Sequence, residues 1–214
     1  MFVNVIRTLW HEDTPDGEQR RAAMRAVSSP PVALALAQLV GRSKRYPILI
    51  NEGIVALTLL SLHSGASSRL TDVCSRPVSH ALRTLYLWTI FFFLSANVVL
   101  DAITTPLPLE TQGSSGPGSA GESEIGSPVT TPGRAADTLA HLLRGHGAKV
   151  PEEVRANACI LLGQVGREDG VGAERVPELL KLKSELRPLL SSAADSEKEV
   201  RLKAAAAGAL QRWG

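Results

Sequence analysis

The apolar positions of this chain return in blocks. Leu139, Leu142 and Leu143 are followed, after a polar break, by the stretch Val154-Arg-Ala-Asn-Ala-Cys-Ile-Leu-Leu-Gly-Gln-Val165. The same order recurs in Leu186-Arg-Pro-Leu-Leu190 and then Val200-Arg-Leu-Lys-Ala-Ala-Ala-Ala-Gly-Ala-Leu210. An upstream copy runs Leu36-Ala-Gln-Leu-Val40, then Ile48-Leu-Ile-Asn-Glu-Gly-Ile-Val-Ala-Leu-Thr-Leu-Leu60. Apolar residues three and four apart give a helix one face to bury, so each copy predicts a short helix, a break and a longer helix. Phe2, Val5, Ile6 and Leu9 have the same spacing, and Asp13, Pro15, Asp16 and Gly17 end that helix. Glu18 to Val27 reads as a charged, Ala-rich helix stopped by Ser28-Ser-Pro-Pro31. The chain opens in an amphipathic helix without a polar cap, so Met1 is expected to fall within a repeat. Helix pairs of this kind cannot bury their faces alone and stack on one another.

Val154 and Val200 are 46 positions apart, within the roughly 40–47 of armadillo and HEAT repeats. The fold expected is therefore all-α, an armadillo/HEAT-like α-solenoid fragment interrupted by an apolar segment and a disordered linker. The divisions are 1–66 for N-terminal helical repeats, 67–104 for an insertion with an apolar segment, 105–133 for the linker and 134–214 for C-terminal repeats. Sixteen of the 29 residues of the linker are Gly, Ser or Pro, with no aromatic or basic side chain. Such a composition buries too little apolar surface to offset the entropy of ordering it. Taking out residues 68–133 leaves Asn51 and Asn157 about 40 positions apart, the repeat period again. On that arithmetic, deleting Ser68 to Gly133 is expected to spare the fold, unless Leu85 to Leu100 supplies core.

That block, Leu85-Tyr-Leu-Trp-Thr-Ile-Phe-Phe-Phe-Leu-Ser-Ala-Asn-Val-Val-Leu100, holds three of the four Phe residues. As a helix it would rise about 24 Å, short of the roughly 30 Å hydrocarbon core. Arg83 and Asp101 close its ends. A membrane anchor, a helix packed on the repeats and an unstructured insertion are the three readings open to it. Net charge is +2, and no Lys or Arg occurs from Thr84 to Gly133. The charge remaining elsewhere falls short of the basic face of a nucleic-acid-binding domain. The N-terminus lacks the basic region and long apolar core of a signal peptide. Two cysteines, Cys74 and Cys159, with no metal-ligand spacing, suit a reducing compartment, here the cytoplasm.

Nothing in the sequence assembles a catalytic, cofactor or metal site. Gly163, Gly166, Gly170 and Gly172 follow a helix and lack the order that cradles phosphate, so they read as a loop between repeats. His11, His63, His80, His141 and His146 are scattered, with no pair at the spacing of two ligands on one helical face. Partner contacts fall instead to Asn51, Glu52 and Asn157. Both asparagines sit three residues after Ile48 and Val154, the same place in the longer helix. Asn is mildly unfavourable inside a helix, so its reuse asks for a reason. It either hydrogen-bonds a partner's backbone from a helical ladder or makes a bond between repeats that caps the preceding loop.

Ile50-Asn-Glu-Gly-Ile-Val-Ala-Leu-Thr-Leu-Leu60, preceded by Leu39-Val-Gly-Arg-Ser-Lys-Arg-Tyr-Pro47, resembles a C-terminal repeat of the small-GTPase GDP-dissociation stimulators, the SmgGDS type. Ala136 to Gly166 resembles the segment that follows in that family. The resemblance implies an armadillo solenoid that binds Ras-superfamily GTPases, Rho- or Rap-like ones with basic C-terminal tails. Such proteins promote nucleotide release or chaperone prenylated GTPases, without catalytic residues or a cofactor. The alternatives are a generic armadillo-like scaffold and a single-pass membrane protein anchored by residues 85–100.

Overall fold

A computed structural model describes residues 2–10, 22–23, 26–43, 46–62, 96–108, 133–144, 150–167, 171–196 and 198–214. Regular structure among them is helical, apart from one isolated antiparallel bridge between Pro106 and Arg134. The helices are α1 (Phe2–Trp10), α2 (Pro30–Arg42), α3 (Pro47–Leu62), α4 (96–104), α5 (Ala135–Arg144), α6 (Glu152–Val165), α7 (Val176–Ala194) and α8 (Val200–Arg212). Ala173–Arg175 form a 3-10 turn that leads into α7.

Prolines open several of these helices because their fixed φ suits a first turn, where no backbone donor is missed. Pro30 and Pro31 begin α2, Pro47 begins α3 and Pro177 lies in the first turn of α7. In α2 the buried Ala33, Leu36, Ala37 and Val40 keep helical spacing and leave the opposite face exposed. α3 is different. Ile50, Ile54, Ala56, Leu57, Thr58, Leu60 and Ser61 are all buried, which leaves no wide polar side. A helix apolar nearly all round has to be enclosed, and α3 packs against α1, α2 and α6. The two hydroxyls stay satisfied within the helix, Thr58 donating to the Ile54 carbonyl at 2.8 Å and Ser61 to that of Thr58 at 2.7 Å. Gly53 lets α2 come close: a Cβ there would lie 2.7 Å from a Val40 methyl and 3.3 Å from the Leu36 carbonyl.

α2 and α3, α5 and α6, and α7 and α8 pack as pairs. Across the pairs, α3 lies on α6 and α6 on α8, while α2 lies on α5 and α5 on α7. Like helices therefore meet like helices in two rows. One core runs through both, from Val3 and Ile6 through Leu57, Leu139, Leu161 and Leu162 to Leu186, Leu202 and Trp213.

Two sequence expectations change. Residues 96–104, expected within an insertion, are helical, and Val98, Val99, Leu100, Ala102 and Ile103 belong to the same core as the other helices. Deleting Ser68 to Gly133 would remove those side chains and Leu107, which is also buried, so it would cost stability. Of the last five residues of the 85–100 block, Val98, Val99 and Leu100 are thereby spent on the protein core. No helix among the described residues is long and apolar enough to cross a membrane. The aromatic residues before 96, the span 109–132 and Cys74 lie outside the described residues. The second change concerns the short helix expected around Leu186–Leu190. It is part of the 19-residue α7, whose helical assignment passes through Pro188. Pro188 sits on the exposed side, while Leu179, Leu182, Leu186 and Leu190 carry the buried stripe.

Candidate functional site

Asn51 and Asn157, each three residues after an apolar residue of its helix, meet. Asn157 Nδ2 on α6 donates to Asn51 Oδ1 on α3 at 2.8 Å. Both side chains are half-buried, and neither makes a further hydrogen bond within the described residues. The bond links two helices of one row and does not cap a loop. It uses one donor and one acceptor, leaving the Asn51 amide nitrogen and the Asn157 amide oxygen for another group. Glu52 is half-buried at the next position of α3 and takes no part in the amide pair. Around the pair, Ile160 is 37 % exposed and Ile48, at the start of α3, 78 %. The row thus offers apolar surface beside a neutral donor and acceptor.

The other side of α6 is held by different chemistry. Glu152 Oε1 accepts from the backbone N–H groups of Arg201 and Leu202 at 2.7 and 3.2 Å. These are orphan donors of the first turn of α8, whose own N-cap residue Glu199 makes no side-chain cap bond. The capping carboxylate comes from the neighbouring helix pair. Arg155 completes the clasp, donating from Nε to the Leu142 carbonyl at the end of α5 (3.1 Å) and from Nη1 to Glu199 (2.6 Å). At the far end of α8, Trp213 is buried and its indole N–H donates to the Leu162 carbonyl at 2.8 Å. Gly166 makes room, since a Cβ there would collide with the indole ring. Gly163 lies inside α6 and Gly166 at its C-cap. The glycines read as loop therefore serve helix packing at these two positions.

Cys159 is buried in α6, and desolvation pushes its thiol up to about 12 against a smaller opposing pull from Arg155. It is neutral at physiological pH and packs as a small apolar side chain. Among the described residues no three His, Cys, Asp or Glu side chains gather to hold a metal.

A cleft of about 340 Å³ lies between α4, the start of α5 and the start of α7, lined by Asp101, Thr104, Arg134, Arg175, Glu178 and Lys181 among others. Arg134 bridges Asp137 at 2.8 Å and Glu185 at 3.0 Å, and Arg175 bridges Asp101 at 2.9 Å and Glu178 at 3.2 Å. The hydrogen bond with Asp137 holds the Arg134 guanidinium above its ordinary value, burial opposing. Desolvation raises the Asp101 carboxyl above its own; Arg175 opposes this, while Glu178 and Glu174 add to it. One oxygen of Asp101 is buried without a hydrogen-bond partner. Sequence reading missed this cleft. Its only local signals are Arg134 with Asp137 and Arg175 with Glu178, basic-acidic pairs three residues apart at helix starts.

Neither the family models nor the curated proteins nor the solved structures contain a match to this chain.

Proposed function

We propose that this protein is an armadillo/HEAT-like α-solenoid that binds partner proteins along the α3–α6–α8 row, and that its partners are small GTPases of the Rho- or Rap-like kind. The observation that carries the reading is the amide pair: Asn51 and Asn157, equivalent by sequence period, join adjacent helices of one row and keep a donor and an acceptor spare. The stacking of like helices supports the solenoid. The GTPase assignment draws on the likeness of residues 50–60 and 136–166 to GDP-dissociation stimulators. Such a protein acts without catalytic residues. It accelerates GDP release only by holding the nucleotide-free GTPase more tightly than the loaded one, because differential affinity alone shifts an equilibrium.

The test is release of a fluorescent GDP analogue from Rho- and Rap-like GTPases, with and without the protein. Acceleration by the wild type, reduced in the folded Asn51→Ala/Asn157→Ala variant, is the expected result. Binding without acceleration would replace exchange by scaffolding on the same face. Absence of both at micromolar concentration would sink the GTPase assignment.

A further inference from the structure

We draw no further inference here: the strongest candidate, the charged cleft between α4 and the start of α7, carries nothing, because its two arginines are held in ion pairs with its carboxylates and the unpartnered oxygen belongs to the part-exposed Asp101, with no second observation that points to a ligand.

Discussion

Helix α6 is held on its two sides by different means, and the contrast shows what each junction can do. Toward α3 the polar link shown among the described residues is a neutral bond, Asn157 to Asn51, half-open to solvent. Toward α8 the links are many and directed: a carboxylate on two backbone donors, a guanidinium shared between a helix end and Glu199, and an indole locked over Gly166. Deleting a partner from the second set strands a buried or dipole-facing group. Deleting an asparagine exposes an amide that water can reach. The α6–α8 junction is therefore tied by directed bonds, and the α3–α6 junction keeps an amide donor and acceptor within reach of solvent.

The contrast predicts its own largest failure at Trp213. Trp213→Ala should cost about 3–5 kcal/mol, the range for removing a large buried aromatic, and take from the Leu162 carbonyl its indole donor, leaving it the Gly166 N–H. Urea unfolding measures the loss. Alkylation of Cys159, in a Cys74→Ser background, reports where it acts. The neutral, buried thiol of the wild type should react only through opening of the fold, and the Trp213 variant should react faster. A cost below about 1 kcal/mol, typical of a surface change, would mean that the indole does not anchor α8.

The cap supplied from α6 comes next. Glu152→Ala should destabilise by roughly 0.5–2 kcal/mol, as for the loss of an N-cap side chain. Glu152→Gln keeps an acceptor oxygen and gives up the charge that complements the helix dipole, so it should fall between wild type and Ala. Equal effects of Ala and Gln would assign the contribution to charge alone.

A smaller effect is expected across the α3–α6 junction. Asn51→Ala and Asn157→Ala should each cost about 0.5–1.5 kcal/mol, the net worth of an ordinary hydrogen bond. In a double-mutant cycle the second substitution should add little to the first, since the pair shares one bond. Full additivity would break the claim that these two residues act on each other.

That Asn51 and Asn157 hold the same place in their helices was legible in advance because both follow the same apolar signal, but that they bond one another was not. The buried faces were legible for the same reason: Leu139, Leu142, Leu186 and Leu202 are core by spacing alone. The clasp was not. Glu152 and Arg201 are 49 positions apart, Arg155 and Glu199 44, and a charge on a helix start says nothing of which neighbour it will cap. α4 was only one of three readings open to its block, because of its setting. Its Val98, Val99, Leu100 and Ile103 follow an aromatic run and precede a Gly/Ser/Pro stretch, so composition grouped it with an insertion although it completes the core. The entry to and return from the 109–132 span were equally invisible, since only the fold sets the Leu107 N–H on the Gly133 carbonyl at 2.9 Å.

The smallest effect tests whether charge also matters where α7 meets α4. Asp101 is bridged to Arg175, yet burial is the larger influence on its carboxyl and holds its pKa above the ordinary 3.8. A raised folded-state pKa stabilises the fold fully below the unfolded value, and that contribution is lost as pH rises through the folded value. Wild type should therefore lose stability relative to Asp101→Asn as pH climbs from the ordinary carboxylate value through the raised one, and the difference should then level off. The change should be small, because both partners are more than a third exposed and solvent screens the pair. Urea midpoints for the two proteins from about pH 3 to about pH 7 measure it. A wild type that gains on the Asn variant over that rise would show that Arg175 outweighs burial. The α4–α7 contact would then be held by attraction, like the α6–α8 side, and not merely tolerated.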